Sequence, residues 1–262
     1  MGITPGVCPF CPNQATKLTR EHLVSAWIGE LFNSSGYNLH RYTEAGLVKK
    51  WRKGKLDEKA FAACRECNNG WMGDIETEMK AAFSHVIRDG VKVSLLPSGL
   101  ALLAAFAFKC AVVADYISPA DGTLFYTSYT RHKFRAPLQI PNGVQMWLWA
   151  FQRVYVNSGV FNSYYLKPRP VSGTLDDVNF HVFTFLAGCL GFQVVSAKWT
   201  DVRRSGQRPP LLCPDGIWDT AAVRFWPLDG FPVSFPPRHC LSNDSLEAFI
   251  NRFQGSVTMR VA

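Results

Sequence analysis

The sequence predicts an α+β protein in two parts. A small metal-bearing α+β unit occupies residues 1–88, and an α+β domain with a mainly antiparallel sheet occupies 89–262. Three observations carry this. Four of the 8 cysteines stand in two CxxC pairs, Cys8/Cys11 and Cys64/Cys67, and two such turns are most economically four thiolates around one zinc. Several segments repeat apolar residues at helical spacing. From Thr123 onward the pattern changes to short apolar runs punctuated by Pro and Gly, which is strand material.

In chain order, Glu21–Phe32 reads as a short helix, with Leu23, Trp27, Ile28 and Leu31 on one side, ended by Asn33–Gly36. Residues 37–63 read as a loop and hairpin, with Lys53-Gly-Lys55 as a turn and Leu47, Val48 and Phe61 in strands. A helix over Trp71–His85 follows from Trp71, Ile75, Met79 and Phe83 at a four-residue step. Leu100–Ile117 is the most apolar stretch. It carries Lys109 and Asp115, so a buried core helix is expected there, with Ser98 as its cap and no membrane span. Strands are expected at Leu124–Tyr129, Val144–Phe151, Val154–Val156, Tyr164–Leu166, Asn179–Leu186, Gly191–Lys198 and Ala222–Trp226, and a closing helix at Asp244–Phe253.

Composition narrows the function. A chain of 262 residues that is 47% hydrophobic and 18% charged forms a sizeable core and is not disordered. The N-terminus shows no secretory signal, and the cysteines are too sparse for a disulfide scaffold, so a reducing, cytoplasmic setting is expected. A net charge of +8 favours a polyanionic partner, nucleic acid first. The run Lys49, Lys50, Trp51, Arg52, Lys53 and Lys55 sets five cations around one Trp, which suits phosphates and a stacked base; a solvated hairpin tip is the plain alternative. Arg131–Arg135 and Arg203–Arg208 could extend such a path.

Chemistry concentrates around the CxxC pairs. Glu21 and His22 stand side by side, and Asn68 directly follows Cys67. A carboxylate and an amide oxygen are hard ligands suited to Mg²⁺ or Mn²⁺. A histidine beside them can take a proton from water near neutral pH. Other readings stand alongside: Glu21 capping its helix, His22 at a helix start, and Asn68 or Asn69 serving as turn and cap residues. Glu76 is expected to be a solvated helix carboxylate, with completion of a metal shell or pairing with a base as its alternative.

The order CxxC, Thr19-Arg20-Glu21-His22, then CxxC-Asn resembles the zinc-stapled branch of the HNH, or ββα-metal, endonucleases, and Cys64–Glu76 (CRECNNGWMGDIE) resembles a bacterial and phage subgroup with a CNNGWM…E signature. The resemblance implies a ββα-metal unit stapled by a structural Zn²⁺ on Cys8, Cys11, Cys64 and Cys67. It implies His22 as general base, and Glu21 and Asn68 as ligands of a catalytic Mg²⁺ or Mn²⁺. Members often carry an Asn ahead of the second CxxC that orients the base; Asp57–Ala63 has none, leaving a backbone carbonyl or another side chain for that task. The function implied is hydrolysis of nucleic-acid phosphodiesters, DNA being the first expectation. A non-catalytic zinc-stapled module binding nucleic acid or protein is the alternative. A protein partner or a homo-oligomer is compatible with either.

Overall fold

Among the described residues, backbone pairing builds four antiparallel sheets. The computed structural model describes residues 7–11, 17–32, 37–43, 46–54, 59–117, 123–152, 159–166, 178–200, 207, 209, 220–250 and 252. The mixture of helix and antiparallel strand is the α+β class expected.

Near the N-terminus, β1 (Leu18–His22) pairs with β4 (Lys59–Cys64). This corrects the helix expected from Glu21: that stretch begins as strand, and only α1 (Ala26–Glu30) is helical. The apolar spacing there fits a helix, but the backbone of Glu21 and His22 is claimed by Ala60 and Lys59 across the ladder. Between these strands lies a separate hairpin, β2 (Tyr37–Thr43) with β3 (Gly46–Lys53). The basic run through Lys53 therefore lies along β3, not at a turn, and Gly54 follows the strand end. Lys55 lies outside the described residues, as do Val154–Val156 and most of Arg203–Arg208.

After β4 the chain turns directly into α2 (Arg65–Cys67), a π-helical segment (Asn68–Met72) kinked at Gly70, and α3 (Gly73–Asp89). Ile75, Met79, Phe83, Val86 and Ile87 form the buried side of α3, at the expected spacing. Gly90, with φ of 64°, ends it in a left-handed cap that a glycine adopts at no steric penalty. β5 (Val93–Leu95) follows, then α4 (Pro97–Ile117). Proline opens α4 in place of the expected Ser98 cap; its missing N–H would be unsatisfied in the first turn anyway. By length and composition α4 could cross a bilayer, yet here it is largely buried within the protein.

The expected strand at Leu124–Tyr129 is instead a loop leading into α5 (Ser128–Arg135). The backbone N–H groups of Phe125 and Tyr126 donate to the Asp115 carboxylate at 2.9 and 3.0 Å, and Thr127 caps the helix by accepting from the Thr130 N–H. These bonds replace a ladder. Next come β6 (Val144–Ala150), β7 (Gly159–Leu166), β8 (Val178–Ala187), β9 (Leu190–Trp199) and β10 (Ala222–Trp226). They form one antiparallel sheet in the order β10-β6-β9-β8-β7. β11 (Val233–Phe235) pairs with β5, and α6 (Asn243–Ile250) is the last described element.

The five-stranded sheet is covered on both faces. Along β6, Met146, Leu148 and Ala150 join one core, and Trp147 and Trp149 join the other, as the two-residue strand period requires. The first core is continuous from Cys8 and Phe10 through α3 and α4 to Phe185 and Phe192 of the sheet. It therefore spans both parts of the chain on either side of residue 88. The second core gathers Phe180, Val182, Leu186 and Val195 with Phe249 of α6. Beneath α4 lies a buried polar group: the Tyr126 hydroxyl is 2.7 Å from Ser196 Oγ and 3.1 Å from His181 Nδ1. Burial holds His181 down to about 4, so its imidazole is neutral at physiological pH.

Candidate functional site

The cysteine pairs meet where β4 runs into α2. The sulfurs of Cys8, Cys64 and Cys67 all lie within 4.8 Å of one another, and all three residues are buried. The backbone N–H of Cys64 donates to Cys8 Sγ at 3.2 Å, and the Cys11 N–H returns to the Cys8 carbonyl at 3.4 Å, closing the first CxxC turn. A hydrogen bond from Cys67 holds the Cys8 thiol down to about 5, while burial pushes Cys64 up to about 11. A buried trio with one thiolate already favoured is a donor set that could hold a metal ion. Cys11 is buried too, but its sulfur stands outside that trio, so three of the four expected cysteines come together.

Asn68 sits one residue beyond this cluster. Its amide nitrogen donates to Thr19 Oγ1 at 2.9 Å and to the Arg20 carbonyl at 3.0 Å, while Thr19 donates to the Ala63 carbonyl at 2.9 Å. Asn68 thus straps β1 to the start of the helical stretch. Both its amide hydrogens are spent, so the atom it can offer a cation is its carbonyl oxygen. Thr19 and Glu21, two apart on β1, share the side of the strand that Asn68 reaches.

Glu21 is 1% exposed and does not stand alone. Lys109 Nζ, from the middle of α4, lies 2.7 Å from Glu21 Oε1 and 2.5 Å from Glu76 Oε1 of α3. The lysine is itself fully buried. Burial opposes its charge, but the two carboxylates outweigh burial and hold its pKa above the usual lysine range. Burial also works against a charged Glu76, but Lys109, Ser25 and His22 together bring its pKa below the ordinary value. Burial raises Glu21: one ammonium serves one negative charge well, and the second carboxylate gains proton affinity. This corrects the solvated carboxylate expected at Glu76, whose side chain is only 18% exposed. A cation buried in an apolar helix must find counter-charges, and Glu76 is one of them.

His22 ends β1, partly exposed, and its charge is among the influences on Glu76. Glu21, Glu76, Lys109 and His22 thus form one electrostatic unit. The sequence assigns no site role to Lys109 and gives Glu76 one only as the alternative to a solvated carboxylate. The signal for Lys109 was present as a single cation inside an otherwise apolar helix.

Of the basic run, Arg52 is exposed on β3; the side chains of Lys49, Lys50, Trp51, Lys53 and Lys55 lie outside the described residues. In the second basic stretch, Arg131 is buried and turned inward: its Nε donates to the Pro9 carbonyl at 3.1 Å, and its Nη1 to the Tyr126 carbonyl. It ties α5 to the first CxxC turn and is spent there, which removes it from any phosphate path. No protein family, no curated protein and no solved structure matches this chain.

Proposed function

We propose that the protein is a metal-dependent endonuclease of the HNH type, acting on nucleic-acid phosphodiesters, DNA first. The observation that carries this reading is Asn68, strapped by two hydrogen bonds to β1 immediately before Glu21 and His22, beside a cysteine cluster able to hold metal. In this reading a structural Zn²⁺ is held by the cysteine cluster, Cys11 included. Glu21 and Asn68 would hold Mg²⁺ or Mn²⁺, which would supply positive charge beside the phosphodiester and its leaving oxygen.

His22 takes the proton from the attacking water and so acts on the reacting atoms. Asn68 fixes the end of β1, and with it the direction of the base. Lys109 keeps Glu76 in place from below, and Glu76 takes up the electrostatic support of His22 that no Asn ahead of the second CxxC provides.

Plasmid nicking tests the reading. Wild-type protein should nick with added Mg²⁺ or Mn²⁺ and not in chelator. His22→Ala should lose about 10²–10⁴-fold in rate with zinc content and DNA binding intact. Wild-type protein inert with every divalent ion would sink the proposal.

One observation favours a second reading, a zinc-stapled module that binds nucleic acid or protein without catalysis: Lys109 already gives Glu21 a cation. Under that reading DNA binding persists and cleavage never appears.

A further inference from the structure

On β4 the usual arrangement is reversed. Phe61 is 58% exposed, while the small residues after it, Ala62 and Ala63, are fully buried. One exposed Phe is ordinary on a protein surface. What sets Phe61 apart is its company. In the antiparallel register Arg20 stands opposite Phe61, and His22 stands opposite Lys59. Directly opposed residues share a face, and so do residues two apart along a strand. One side of the β1–β4 ribbon therefore carries Arg20, His22, Lys59 and Phe61, and Glu21 faces the other way. Burial agrees: Arg20, Lys59 and Phe61 are exposed and His22 partly so, against 1% for Glu21. The Arg20 guanidinium lies over the Phe61 ring, 5.4 Å from its centre.

We propose that this face of the ribbon binds a single nucleic-acid strand, with one base stacked at Phe61 and the neighbouring phosphates on Arg20 and Lys59. Charge complementarity selects the occupant. The face is cationic around one aromatic ring, and a strand offers a phosphate and a π-surface at every nucleotide, whereas an acidic peptide does so only where an aromatic residue falls among its carboxylates. Stacking on an aromatic ring is indifferent to base identity, so the contact holds a strand without reading its sequence. His22 adds no open phosphate contact on this face, because its Nε2 is buried. The binding face does not rest on the nuclease reading.

The test is fluorescence anisotropy with the full chain in a His22→Ala background, which keeps the probe intact. The probe is a labelled oligothymidylate of about 15 nucleotides. Phe61→Ala and Phe61→Leu should each weaken binding about tenfold, since leucine supplies apolar area but no ring. Phe61→Trp should bind at least as tightly as the parent, with its fluorescence quenched by the strand. Arg20→Ala should flatten the dependence of log affinity on log salt by about 0.7.

Phe61 is exposed, so these variants should keep the parent's circular dichroism and metal content. Affinity for the strand unchanged in Phe61→Ala, or retained in Phe61→Leu, overturns the proposal. So does competition by polyglutamate at equal charge, which would mark an acidic protein as the partner. Failure of the nuclease reading shows separately, as wild-type protein that binds the strand with Phe61 dependence but never cleaves it.

Discussion

Lys109 concentrates the energetics of the site in one side chain. Its ammonium is fully buried between Glu21 and Glu76, so removing it leaves two carboxylates without their cation. Lys109→Met keeps the volume and should destabilise the chain by about 3–5 kcal/mol in urea unfolding. Adding Glu21→Gln and Glu76→Gln to that variant should recover more than half of the loss, because the uncompensated charge is then gone. A loss of under about 1 kcal/mol would show that the ion pairs do not hold the site together. His181 gives a second residue-scale expectation. Its folded pKa of about 4 lies below the ordinary value of 6.5, so the unfolded chain binds more protons between those values. Stability from this group is complete above about pH 6.5 and falls by about 3 kcal/mol as pH drops toward 4. His181→Gln keeps a hydrogen-bonding group beside the Tyr126 hydroxyl, and thermal melts should show a shallower acid slope than in the wild type.

At the scale of elements, the cysteine cluster joins β4 and α2 to the first CxxC turn. Purified protein should contain about one zinc per chain by elemental analysis. Cys64→Ser, or exhaustive chelation, should lower the melting temperature by at least about 5 °C. A melting curve indifferent to metal would leave the trio as ordinary core cysteines. The pattern of what was legible in the sequence follows from where the information lies. α4, β8, β9 and β10 are readable because each is a local, largely unbroken apolar run. β1 is not, since the helical spacing of Leu23, Trp27, Ile28 and Leu31, real only in α1, carries the expected helix back over Glu21 and His22, and only pairing with a strand far along the chain decides otherwise. The strand expected at Leu124–Tyr129 fails for a similar reason: a single remote carboxylate, Asp115, takes the backbone N–H groups a ladder would need. Within the site, Cys64, Cys67, Asn68, Glu21 and His22 stand out by spacing alone. Lys109 and Glu76 become site residues only once two helices cross.

At the scale of the whole molecule, the two parts of the chain share a core and a salt-bridged centre. The turn between β8 and β9 docks onto the end of α3: Cys189 N–H donates to the Ile87 carbonyl at 2.9 Å. Gly188 adopts φ of 55° there, and an added Cβ would stand 2.3 Å from that carbonyl oxygen, so no larger residue fits. A fragment ending at residue 88 lacks Lys109 and exposes the apolar side of α3, where Ile75, Met79 and Phe83 are buried in the full chain. It should show no cooperative thermal transition by circular dichroism, with or without zinc. A sharp melt from that fragment would show that the N-terminal part folds alone.

The bridge from α4 also sets an order of events on the ribosome. Glu76 emerges 33 residues before its cation, and Glu21 emerges 88 before it. At synthesis rates of about 5–20 residues per second, Glu76 waits about 2–7 s for Lys109 and Glu21 waits longer. Until then neither carboxylate has its buried cation, and burying either one would leave its charge uncompensated. The ends of β1 and α3 close when α4 arrives, so the candidate site is completed late, by a helix made after every residue proposed to touch the substrate.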